Sequence, residues 1–216
     1  PKQQAQRGKF STVFSFLKTI KPFIRLGYKE FSQEKSAFNS AMSYMLKKAV
    51  NSNGTEITID FNRALVSMGT LMPVFNGTAT LCKGQMLFNW YNNSGIGNAE
   101  NADMAMLLVY NKDKEAALRS DGYAELPLPN DWYDDELITY LSFRSVDGNS
   151  VANSIRLSVS IMEEITGDTE KREVIALVPS EKLFSFQHLN IASPIVAHIL
   201  SVFYDEDRLC ESRPPT

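Results

Sequence analysis

The hydrophobic period of the chain changes near residue 55 from about 3.6 to 2. Before that point apolar residues recur at three- and four-residue spacing. Phe10, Val13, Phe14, Leu17 and Ile20 form one such stripe and predict a helix. Pro22 should end it or open the next turn, because proline lacks an amide donor. From Phe23 to Phe31 the pattern is looser, and Gly27 weakens a helix there. A second helix is expected over residues 33–50, burying Phe38, Ala41, Met42, Met45, Leu46 and Ala49, with Ser32 as its cap. Asn51-Ser-Asn-Gly reads as the turn that terminates it.

Beyond Thr55, Ile57, Ile59 and Phe61 alternate with polar residues, the period of a half-buried strand. Further strands are expected at residues 65–71, 85–90, 117–120, 124–128 and 137–144. Residues 105–111 are almost continuously apolar, as in a central strand buried on both faces. Val146-Asp-Gly-Asn is a hairpin signal, with residues 154–161 returning and Ile155, Leu157, Val159 and Ile161 on one face. Seven or eight short strands of this kind argue for a sandwich or barrel. The predicted class is α+β: a helical segment at 1–50, an antiparallel β-sandwich at 51–161, and a mixed extension at 162–216. In the extension, Gly167 marks a turn, residues 174–178 a strand, and Ser193-Pro194 the start of a helix through Phe203.

Composition adds mainly exclusions. The length of 216 residues and 44% apolar content support a real core. The 25 acidic and 22 basic side chains read as interleaved, and a net charge of −3 gives no pull toward nucleic acid or anionic membrane. Basic pairs such as Lys47–Lys48 read as solvated helix surface. No apolar run approaches the ~20 residues of a transmembrane helix. Cys82 and Cys210 are far apart in sequence, and only geometry decides whether they pair; two buried thiols in a reducing compartment is the preferred reading. Asn53, Asn76 and Asn92 match the glycosylation pattern but read as turns. The chain starts at Pro1 rather than Met, so its natural N-terminus is expected to be missing, and localisation stays open.

Candidate chemistry is sparse. His188 and His198 are read as packing residues, and neither a His-x-x-x-His nor a Cys-x-x-Cys pair occurs. Ser94-Gly-Ile-Gly lacks the Lys-Ser/Thr of a phosphate loop and precedes a strand. Trp90, Tyr110 and Tyr140, with Met42, Met45, Met104 and Met106, read as core. One cluster stands out: Asp131, Trp132, Tyr133, Asp134, Asp135 and Glu136. Loop carboxylates can bind calcium and aromatic faces can stack on sugars, which makes this a candidate ligand loop. The preferred alternative is an acidic corner whose Trp132 folds back over the core. No catalytic, cofactor or metal-binding residue is assigned, and an enzyme is not expected.

Phe88-Asn-Trp, the apolar strand from Leu107 to Tyr110, Pro129-Asn-Asp, Thr139-Tyr-Leu-Ser-Phe and Asp147-Gly-Asn-Ser occur in an order that resembles a fibronectin type III-like sandwich. Pro1-Lys-Gln-Gln-Ala-Gln-Arg-Gly-Lys-Phe, Phe38-Asn-Ser-Ala-Met-Ser-Tyr, Asn93-Ser-Gly-Ile-Gly, Ala105-Met-Leu-Leu-Val-Tyr-Asn and Ser142-Phe-Arg-Ser-Val-Asp-Gly extend the likeness. Over residues ~1–160 they resemble a Bacteroidota family known only as a domain of unknown function. Members of that family usually begin with a Gly-rich, Trp-containing arm before the first string, so this chain resembles a truncated member. The resemblance implies a fold and transfers no site. The expected role is therefore a non-catalytic structural or protein-interaction module, with a protein partner or self-assembly, no nucleic acid and no cofactor. The alternative is a small-ligand or carbohydrate-binding domain using the Trp132 loop.

Overall fold

The helical period of the first fifty residues becomes three α-helices in the computed structural model, which describes residues 2–32, 35–53 and 56–162. α1 (Lys2–Thr19) breaks at Ile20 and continues as α2 (Lys21–Gly27), with Pro22 in the first turn, where its missing amide leaves no bond unmade. A 3-10 turn (Lys29–Phe31) leads on to α3 (Ala37–Lys48). Ser36, not Ser32, caps α3: its Oγ accepts from the Asn39 amide at 3.2 Å. The Ser32 hydroxyl instead donates to the Lys29 carbonyl at 2.6 Å, closing the preceding turn. The buried seam of α1 is Val13, Phe16, Leu17 and Ile20. Phe10 and Phe14 belong to the expected stripe, yet they stay 50% and 42% exposed, because the seam runs through Phe16 and leaves them part of a turn away.

Residues 51–53, expected as a turn, lie in a strand. β1 (Val50–Asn53) and β2 (Glu56–Ile59) form an antiparallel ribbon with Val50 opposite Ile59. Then follow β3 (Phe75–Cys82), β4 (Gln85–Tyr91), β5 (Met104–Asn111), β6 (Ala116–Asp121), β7 (Glu125–Pro127), β8 (Leu137–Arg144), β9 (Ile155–Leu157) and β10 (Val159–Ile161). They make two four-stranded sheets, β10-β3-β4-β7 and β6-β5-β8-β9. All pairings are antiparallel except that of β10 with β3. The architecture is α+β, with helices preceding mostly antiparallel sheets.

Three strand expectations change. β3 went unpredicted because Asn76-Gly77 reads as a turn; the pair is absorbed at a register shift between Phe75 and Thr78, with Asn76 at φ +49°. Residues 65–71 do not form a strand. Their backbone is held by side chains: the Val66 and Ser67 amides donate to Ser154 Oγ at 2.9 and 3.3 Å, and Ser67 Oγ donates to the Ala152 carbonyl at 2.8 Å. The single returning strand at 154–161 divides, β9 extending one sheet and β10 joining the other.

β5 and β8 are buried along almost their whole length because they serve two cores. Leu107, Val109, Leu141 and Phe143 face the other sheet, meeting Ala79, Leu81, Met86, Phe88 and Leu126. Met106, Leu108, Tyr110, Ile138 and Tyr140 face the helices. The two most deeply buried phenols are satisfied: Tyr140 donates to the Phe61 carbonyl at 2.7 Å and Tyr28 to the Leu65 carbonyl at 2.9 Å. Burial pushes both above the ordinary tyrosine pKa. Gly27 permits the close approach of α2, since a Cβ there would sit 2.6 Å from the Val66 carbonyl oxygen. Trp90, expected in the core, is only half-buried, with its ring edge-on to Phe143 at 5.5 Å. Among the described residues no helix is long and apolar enough to cross a membrane. The features expected beyond residue 162, with His188, His198 and the pairing of Cys210 with the half-buried Cys82, lie outside the described residues.

Candidate functional site

The acidic corner forms where a 3-10 turn (Asn130–Trp132) leads into β8. Trp132 is only 5% exposed and belongs to the core between the sheets, so its ring offers no open platform for a sugar. The carboxylates meet the β5–β6 hairpin. Lys112 Nζ pairs with Glu136 at 2.6 Å, and Lys114 Nζ pairs with Asp135 and, at 3.6 Å, with Asp131. Asn111 Nδ2 donates to Asp135 at 2.7 Å, and the Glu136 amide donates to Asp113 at 2.6 Å. The Lys114 ammonium, helped by Asn111, holds the Asp135 carboxyl below the usual carboxylate range. Asp134 is exposed, and Tyr133 is half-buried, with its hydroxyl beside Gly84. Among the described residues no three His, Cys, Asp or Glu side chains are placed to hold a metal ion.

The helical layer is arranged differently. Counted by segment, the charges are not interleaved. Residues 1–50 carry ten Lys or Arg against two Asp or Glu, a net +8, and the remainder of the chain carries −11. Within residues 51–162 the balance is −6. Arg7, Lys18, Lys21, Arg25, Lys47 and Lys48 are exposed. Among the described residues the ion pairs lie at the acidic corner and between β6 and β8, the third cation being Arg144 against Asp121 at 2.9 Å, and none involves a cation of α1, α2 or α3. Gln3, Arg7, Phe10, Phe14 and Lys18 follow one another at i+3 and i+4 spacing, making an outward stripe on α1. The Phe10 and Phe14 rings stack at 6.1 Å, and Phe14 meets Phe38 of α3 edge-on at 5.7 Å.

Two concavities flank this layer. One, of about 860 Å³, lies between α1, β2 and the end of β5, above the packed rings of Phe16, Phe61 and Tyr110. Burial, then the nearby Glu115 carboxylate, raises the Tyr110 phenol. The other, of about 480 Å³, runs beside α3 and is lined by Phe31, Lys35, Tyr44, Lys47 and Lys48. None of these surfaces stood out in the sequence. The readable signal was the charge of the first fifty residues taken alone.

Residues 2–158, from α1 through β9, match a family described as "Family of unknown function (DUF6266)". The chain belongs to that family. The matched region takes in the helical layer and every strand except β10. No curated protein and no solved structure matches the chain.

Proposed function

We propose that this DUF6266 chain is a non-catalytic interaction module, a fibronectin type III-like β-sandwich of Bacteroidota type whose helical layer docks on a second copy of itself. The observation that carries this reading is the exposed, stacked Phe10–Phe14 pair set among cations with no ion-pair partner among the described residues. Exposed aromatic area is costly in water and marks contact surfaces, and aromatic and Arg side chains are enriched at interface centres. Charge complementarity favours a second copy as the occupant. A layer of +8 meets, on another copy, a sheet region whose balance is −6. The sandwich reading rests on the two sheets sharing one core and on the chain crossing between them at Ser158. The ligand reading of residues 131–136 is weakened by the burial of Trp132 and by Lys112 and Lys114.

Light scattering across a concentration series, at low and high salt, tests the proposal. At low salt the mass should rise above that of the monomer with concentration. It should fall back toward the monomer near 1 M salt, where charges are screened beyond about 3 Å. A monomer under every condition overturns the reading.

A further inference from the structure

We infer that the cleft beside α3 binds a phosphomonoester carrying a planar ring, a ligand of the mononucleotide class. This inference does not rest on self-association. Phe38 and Tyr44 are six residues apart, about 120° around α3, so the cleft and the α1 stripe use different faces of that helix.

Three observations converge on the cleft. First, Lys35, Lys47 and Lys48 line it, and none has an ion-pair partner among the described residues. Second, its one carboxylate, Glu30, is engaged elsewhere. Glu30 accepts from the Val151 amide at 2.7 Å, the Thr70 amide at 3.1 Å and the Thr70 hydroxyl at 2.9 Å, bracing the 3-10 turn against two loops. Among the described residues no carboxylate is paired with these lysines, which leaves their donors open to an anion. Third, two aromatic rings, Phe31 and Tyr44, line the same cleft. Phe31 is 43% exposed, and the Tyr44 hydroxyl reaches the Arg63 carbonyl at 3.3 Å, which fixes its ring. A volume of about 480 Å³ suits a small molecule.

Charge and ring together select the ligand. Tyr44 lies one turn before Lys47 and Lys48, so a phosphate held by those ammoniums places the body of the ester over Tyr44 and toward Phe31. A stacked base or similar ring covers apolar area that a bare anion leaves wet. Lys47 and Lys48 also sit in the last turn of α3, where cations favour the helix dipole. That role accounts neither for Lys35 at the opposite end nor for the exposure of Phe31.

The test is isothermal titration of the full chain with adenosine monophosphate, inorganic phosphate and adenosine. Adenosine monophosphate should bind more tightly than either fragment. K47Q/K48Q should weaken it by roughly tenfold or more, the scale of losing charge-assisted hydrogen bonds. K47R/K48R should restore most of the binding, and F31A should weaken the nucleotide while leaving phosphate unchanged. K18Q/K21Q, outside the cleft, should leave the affinity for adenosine monophosphate unchanged. Absence of nucleotide binding overturns the inference. So does equal weakening by K18Q/K21Q and K47Q/K48Q, which would mark a diffuse charge effect, or unchanged affinity in K47Q/K48Q.

Discussion

The acidic corner and the helical layer both combine charge with aromatic rings, and the fold treats them in opposite ways. At the corner, Trp132 turns inward and Lys112 and Lys114 answer Glu136, Asp135 and Asp131 from the neighbouring hairpin. On the helices, Phe10 and Phe14 turn outward, and the cations of α1, α2 and α3 form no ion pair among the described residues. Local density of charge and aromatics is therefore a poor guide to a binding surface. What matters is whether the rest of the chain has already satisfied those groups.

The largest expected effect would break or keep the corner as core. Trp132→Ala should lower stability by about 3–5 kcal/mol in urea unfolding, the usual range for a buried large aromatic. A loss below about 1 kcal/mol would put the ring at the surface and erase the contrast. Next, Gly27→Ala tests whether the helical layer is fixed to the sheet. Its new Cβ would meet the Val66 carbonyl oxygen at 2.6 Å, and overpacking of this kind costs about 1–3 kcal/mol. An unchanged melting temperature would mean that α2 does not approach so closely.

The Asp135 pairing makes a prediction in pH. Its folded pKa is lowered, so the contribution is present above the ordinary carboxylate value of about 4 and is lost as pH falls through the lower folded value. The melting temperature of the wild type should exceed that of Asp135→Asn near pH 6, and the gap should close as pH drops toward about 2. A gap constant over that range would show that the ammonium of Lys114 is not what stabilises the carboxylate. Smallest is the effect on stability of Phe10→Ser, expected to be below about 1 kcal/mol because the ring is half-exposed.

Legibility in the sequence followed the range of the interactions. β5 could be read as a central strand because burial on both faces leaves a continuous apolar run. α1 and α3 could be read from their period, and Val13, Leu17 and Ile20 of the α1 seam with them, but not Phe16, because Phe14 and Phe16 compete and only the position of Phe61 and Tyr110 decides. β3 was hidden by Asn76-Gly77, whose turn chemistry serves a bulge. The corner drew attention because its acids are adjacent in sequence, whereas the lysines that neutralise them lie about twenty residues earlier. The α3 cleft is lined almost wholly from residues 30–48, with Met68 alone from outside, but Lys47 and Lys48 read there as solvated helix surface.

The most direct measurement is the solution mass and melting temperature of F10S/F14S beside the wild type, at low salt and matched concentration. The account predicts that the wild type associates, while the double variant stays monomeric with nearly the same melting temperature. Association of the variant to the same extent as the wild type would contradict the claim that the helical layer is the contact surface.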